Sequence, residues 1–181
     1  MGLNRKIKFI VVLAVFAMVS LHWHFALPVK NAGGKPVVVD SLELQSKVDT
    51  ILKKAYSVMG TPYKWAGASP KTGFDCSGFV YWCFQHVGIT IPRSSQGLYA
   101  MGQVIEMENA QAGDVILFKG TNAGTKGVGH VGIVTSKKGE PLTFVHSSSS
   151  KQHWGVIETV YGHSYYTKRY IGVRRLMIKN I

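Results

Sequence analysis

Acidic residues are scarce in this chain: 9 Asp and Glu stand against 21 Lys and Arg in 181 residues, a formal net charge of +12. That imbalance bears on partners and solubility rather than fold, and leaves nucleic acid, an anionic membrane and an anionic cell-wall polymer open. Cysteine is scarcer still. Two residues, Cys76 and Cys83, cannot build a disulfide framework or a four-cysteine zinc site. Charged residues make up only 17% against 46% hydrophobic, which excludes a disordered tail or a coiled coil as the main architecture. No internal repeat is present. The length suits one domain.

What is present begins with an address. Arg5, Lys6 and Lys8 precede an apolar run at residues 9–21, broken only by Ser20, which is the layout of an export signal. Its 13 residues fall short of the roughly 20 that span a bilayer. Continuation to residue 27 lengthens it and adds Trp23 as an interfacial residue. Val15-Phe16-Ala17 and His24-Phe25-Ala26 are poor cleavage sites, so residues 1–27 read as a signal peptide or an uncleaved signal anchor. No cysteine follows the run, so a lipoprotein anchor is not expected. A buried N-terminal helix fits less well, because the basic residues are bunched before a segment that is apolar all round. Export to the periplasm or cell envelope is the expectation, with membrane association if the anchor is retained. Residues 28–39 contain Gly33-Gly34 and two prolines and predict a linker, which places the folded domain at 40–181.

Asp40-Ser41-Leu42-Glu43 fits a capping box, and Leu44, Val48, Ile51, Leu52, Ala55 and Met59 then recur at helical spacing up to Gly60. Asp75 is an N-cap for a second helix at 76–86, ended by Gly88. Beyond it the apolar period changes to that of strands at 115–118, 130–135, 142–146 and 170–174, with a shorter candidate at 155–158. The connections are too short for helical crossovers, so the sheet should be mostly antiparallel. Helices followed by strands predict an α+β fold. The serine run at 147–150 reads as a loop.

Cys76 would open the second helix, where unpaired N–H groups and the helix dipole favour a thiolate, the competent nucleophile. Ser77-Gly78 behind it are small enough to admit a substrate. Cys83 lies two turns further on, about 10 Å by helix rise, too far for a disulfide, and reads as packing. Alone, Cys76 is as well explained by burial. His130 opens a strand after Gly127-Val128-Gly129, and His146 lies on the next. A hairpin centred on Lys138 would oppose the two histidines directly, about 5 Å apart at Cβ. A one-residue slip would put them on opposite faces. Zinc on Cys76, His130, His146 and His153 lacks any short paired spacing, so no metal is expected. The basic C-terminal residues Lys168, Arg169, Arg174, Arg175 and Lys179 read as a solvated face rather than a nucleic-acid patch.

Six segments, in order, carry a resemblance. They are Gly60-Thr61-Pro62-Tyr63 with Trp65, Phe74-Asp75-Cys76-Ser77-Gly78-Phe79-Val80, Ile91-Pro92-Arg93-Ser94-Ser95, Gly113-Asp114-Val115-Ile116-Leu117-Phe118, His130-Val131-Gly132-Ile133 and Phe144-Val145-His146-Ser147. Over residues 56–175 the chain resembles the NlpC/P60 family of cell-wall peptidases with a papain-like core. The resemblance implies Cys76 as nucleophile, His130 as general base and acid, and His146 as the residue that orients His130. It also implies hydrolysis of the bond between the γ-carboxyl of D-glutamate and a diamino acid in peptidoglycan stems, with no cofactor. Ala66 departs from the pattern, where glycine is commoner. Tyr63, Asp75, Ser77, Arg93, Ser94 and Ser95 are the expected substrate contacts, with packing as the competing account of Tyr63, capping of Asp75, and ordinary turn bonds of Arg93, Ser94 and Ser95. A catalytically silent wall-binding module and an amine acyltransferase on the same residues are the alternatives. The expected partner is peptidoglycan or a muropeptide, not nucleic acid; the sequence does not set an oligomeric state.

Overall fold

The computed structural model describes residues 34–121 and 127–180. The export segment at 1–27 lies outside them, as does most of the expected linker. The chain enters as a short strand, β1 (Val37–Val39), and continues into α1 (Ser41–Ser57). Asp40 caps α1 by accepting the Glu43 backbone N–H at 2.8 Å. The Glu43 side chain pairs with Lys47 at 3.2 Å. A tight aromatic loop carries a two-residue ladder, β2 (Ala68–Ser69) with β3 (Gly73–Phe74), and delivers the chain to α2 (Cys76–Gln85). A short α3 (Ser95–Tyr99) follows.

The rest is mainly sheet: β4 (Gln103–Ile105), β5 (Val115–Lys119), β6 (Val128–Val134), β7 (Thr143–Ser150), β8 (His153–Val160) and β9 (Tyr170–Arg175). A four-residue helix, α4 (Ser164–Thr167), precedes β9, and β10 (Met177–Lys179) closes the described chain. β4 to β9 form one antiparallel sheet in the order β4-β9-β5-β6-β7-β8. The α+β expectation holds. β5 is central, and its Val115, Ile116, Leu117 and Phe118 are all fully buried because both faces are covered. One face packs Val115, Leu117, Val131, Ile133 and Val145 against Ile51, Ala55, Phe79, Val80 and Phe84 of the helices. The other holds Ile116, Phe118, Val134, Phe144 and Val173, with Tyr166 of α4 against them.

Three expectations need correction. The linker reading fails at Val37–Val39, which pair in parallel with Met177–Lys179, so the folded unit begins before residue 40. The serine run is not a loop: Ser147, Ser148, Ser149 and Ser150 pair with Val156, Gly155, Trp154 and His153. Ser147 is fully buried, and its hydroxyl donates to the Phe74 carbonyl at 2.8 Å. The β6–β7 hairpin is centred one residue later than expected, since Ile133 faces Val145 and Val134 faces Phe144. Gly139, at φ 86°, makes the turn possible there. The shift changes each pairing by two, so His130 and His146 become diagonal neighbours and stay on one face.

Candidate active site

Cys76 is the first residue of α2, and Asp75 caps the helix by accepting the Gly78 N–H at 2.6 Å. The thiol meets β6 one residue before His130, with Sγ 3.9 Å from the Gly129 carbonyl. Contrary to the expected helix-end effect, the thiol pKa is pushed up to about 11, by burial first and then by the Asp75 carboxylate. Backbone N–H groups of Val131, Ser77 and Cys76 pull the other way, and so favour negative charge at this point. Cys76 rests as a neutral thiol.

Asp75 does more than cap. Its two oxygens take Nη1 and Nη2 of Arg93 at 2.9 and 3.0 Å, and Arg93 also donates to the Gly67 carbonyl at 2.8 Å and to Ser77 Oγ at 3.1 Å. Four of the five guanidinium N–H groups are therefore spent on holding the helix end that carries Cys76. Gly78 is small for the same reason: an added Cβ would lie 2.1 Å from the Gly67 oxygen and 2.6 Å from Arg93 Nη2. Gly78 makes room for this brace, and Ser77 takes part in it.

His130 lies on the sheet face of Phe118, Phe144 and Tyr166, while Cys76 arrives from the helix side. Its Nε2 is 2.9 Å from Nδ1 of the fully buried His146. Nε2 of His146 is in turn 3.0 Å from Thr159 Oγ1 and 3.3 Å from the Tyr166 hydroxyl. Burial pushes the His130 pKa down to about 4, with the Arg169 guanidinium adding to the effect, and His146 is also held well below its ordinary value by burial. Both imidazoles are neutral at neutral pH. With His130 Nε2–H donating to His146 Nδ1, and His146 Nε2–H to Thr159, Nδ1 of His130 is left as an acceptor.

Residues 60–175 match the NlpC/P60 family model. The chain belongs to the NlpC/P60 family. It is 31% identical over 153 residues to the murein DD-endopeptidase MepH of Escherichia coli, covering 82% of this chain and 54% of that protein. It is 46% identical over 85 residues to the bifunctional muramidase/DL-endopeptidase CwlT of Bacillus subtilis, covering 47% and 26%. The γ-DL-glutamyl hydrolase of the same species is 34% identical over 138 residues, covering 74% and 31%. The chain thus spans about half or less of these relatives. Among solved structures, an NLP/P60 protein of Staphylococcus aureus superposes with a TM-score of 0.66 at 34% identity, covering 79% of this chain and 44% of that one. The peptidoglycan hydrolase RipB of Mycobacterium tuberculosis gives 0.61 at 28%, covering 77% and 69%.

Within this NlpC/P60 domain, a cleft of about 430 Å³ opens over the thiol, and Tyr63, Asp75, Ser77, Arg93, Ser94 and Ser95 all line it. Their polar groups are largely engaged within the protein. Ser94 Oγ caps α3 at the Gly97 N–H, and Ser95 Oγ bonds the Val128 carbonyl at 3.3 Å. Tyr63 stacks edge-on against Trp154 with ring centroids 5.2 Å apart, and burial pushes its hydroxyl up to about 12, so it stays a donor. Sequence reasoning missed Trp65, 82% exposed on the same cleft wall, and Thr159 and Tyr166 behind His146. Trp65 was visible as part of the family pattern. Thr159 and Tyr166 carry no local signal.

Proposed function

We propose that this domain is a cysteine endopeptidase that cuts peptidoglycan stem peptides, with Cys76 as nucleophile, His130 as base and acid, and His146 as the residue that orients His130. The observation that supports the reading is the placement of His130 on β6, next to the Gly129 that the Cys76 thiol touches and hydrogen-bonded to His146 of β7. In the proposed reaction, substrate binding brings the Cys76 thiol, which otherwise bonds the Gly129 carbonyl, within reach of His130, and Sγ attacks the scissile carbonyl as His130 takes the thiol proton. With both partners neutral at rest, no thiolate has to be held before attack, and the imidazolium lasts only until its proton passes to the leaving amine. Backbone N–H groups at the start of α2 stabilise the oxyanion. Collapse breaks the C–N bond, and His130 returns the proton to the leaving amine. His130 then deprotonates a water, which cleaves the thioester and frees Cys76.

The proposed bond joins the γ-carboxyl of D-glutamate to the diamino acid, supported by the DL-endopeptidase and γ-DL-glutamyl hydrolase names of two relatives. A second reading is the D-alanyl crosslink to a diamino acid, favoured by a relative matched over 82% of this chain, which is named a DD-endopeptidase. Export by residues 1–27 would bring the domain to this substrate. Mass spectrometry of products from defined muropeptides separates the two bonds. Cys76→Ala is expected to abolish every product while far-UV circular dichroism is unchanged; undiminished cleavage would overturn the assignment. A competing amine incorporated in place of water would favour acyl transfer, and wall binding without products a silent module.

A further inference from the structure

His146 is fully buried, and burial holds it neutral, so its ring has one proton to place on two nitrogens. Where that proton sits decides what His130 can do. With it on Nε2, Nδ1 accepts the His130 Nε2–H at 2.9 Å, and His130 keeps a free lone pair at its own Nδ1. With it on Nδ1, His146 donates to Nε2 of His130 instead. The His130 proton then has to sit on Nδ1 of that ring, and no lone pair is left to take a proton from the thiol. The contact between the two rings is satisfied either way, so it cannot make this choice.

The choice falls to the other end of the His146 ring. Thr159 of β8 pairs with Phe144, two residues from His146 on β7, and so shares a sheet face with His146. Its Oγ1 lies 3.0 Å from His146 Nε2, and the Tyr166 hydroxyl lies 3.3 Å from the same nitrogen. Tyr166 is held there by Phe118 and Phe144, each with its ring centroid 5.1 Å away. A bare ring nitrogen has one lone pair and takes one donor, whereas an N–H can be shared between two oxygens. Two oxygens converging on Nε2 therefore favour the proton there. Thr159 and Tyr166 are only half-buried and line a groove of about 650 Å³. Their own hydroxyl hydrogens can turn to solvent and leave the oxygens as acceptors.

We propose that Thr159 is a positioning residue of the reaction, supported by Tyr166: the two oxygens hold the His146 proton on Nε2 and so keep His130 in the form that can act as base. Thr159 has the larger part because its oxygen is the nearer of the two. The proposal rests on the roles given above to Cys76, His130 and His146, and it holds for either of the two bonds.

Nitrogen NMR of the full chain with isotope-labelled histidine, at neutral pH, is expected to show His146 protonated at Nε2 and bare at Nδ1. A proton on Nδ1 overturns the proposal, and this measurement needs no variant, so it stands even if Thr159 variants fail to fold. Thr159→Val keeps the shape but removes the hydroxyl. It should move part of the His146 population to the Nδ1–H form and lower kcat about tenfold with KM unchanged. The substrate is a crosslinked muropeptide dimer, which contains both candidate bonds. Thr159→Ser, which keeps the oxygen, should recover most of the rate, and Tyr166→Phe should cost less than Thr159→Val. No rate loss in Thr159→Val, a loss with the His146 proton unmoved, or an equal loss in Thr159→Ser overturns the positioning role alone. No product from the wild-type chain overturns the stem-peptidase reading instead, and the spectra still judge Thr159.

Discussion

At the scale of single residues, the site balances burial against charge. The helix end favours a thiolate, yet burial and Asp75 outweigh it, so the proton stays on Cys76 until a substrate carbonyl is in place. Such a site depends on the geometry of its base. His146 is buried with both ring nitrogens engaged, and its contact with Nε2 of His130 holds that ring with Nδ1 open. His146→Ala is expected to lower kcat by about 10²-fold or more, within the range that acid–base catalysis contributes, with little change in KM. His146→Asn should restore part of it, because an amide can still accept from Nε2 of His130. Steady-state kinetics across pH would check this. A loss confined to KM, or equal losses in both variants, would count against an orienting role.

At the scale of elements, the two principal helices and the long strands follow from caps and apolar period, and their register from parity. The difference of 16 between His130 and His146 is even, so one face was the expectation from the sequence, and moving the hairpin centre from 138 to 139 preserved it. The serine run was misread because small polar residues signal turns. Here they form a strand, paired along β8 and anchored to Phe74. The loop before α2 carries a local strain that bears on the Ala66 departure. Among the described residues, Ala66 is the only non-glycine residue at positive φ, 59°. A left-handed residue with a Cβ costs about 1–2 kcal/mol, and glycine's added freedom when unfolded offsets part of the relief. Ala66→Gly is therefore expected to stabilise the domain by about 0.5–1 kcal/mol in urea unfolding. A lowered midpoint would show that the methyl group is worth more than the strain.

At the scale of the whole molecule, buried neutral histidines make stability depend on pH. His130, ordinarily near 6.5, is pushed down to about 4. Between those values the unfolded chain binds a proton that the folded chain refuses, so stability is lost as pH falls through this window. The loss is on the order of 3 kcal/mol by its lower end, at 1.36 kcal/mol per pKa unit. His146 acts in the same direction, and Asp114, its carboxyl raised by burial, in the opposite one. Urea unfolding of wild type and His130→Asn between about pH 7 and pH 4 isolates His130. The variant should lose less stability on acidification, and identical slopes would remove His130 as the cause.

The sequence by itself determined the fold class, both capped helices, the long strands and the catalytic candidates, because each rests on neighbours within a few residues. It also placed six polar residues around Cys76, and all six line the cleft. Only the tertiary structure decided what those residues do. The Asp75–Arg93 brace joins positions 18 apart, and β1 meets β10 across 140 residues, distances over which no local pattern carries information. The same holds for Thr159 and Tyr166 behind His146, and for Arg169 beside His130. Charge composition counted Arg169 among solvated cations. Sheet closure and α4 set it in a recess beside His130, where burial and proximity make its charge count.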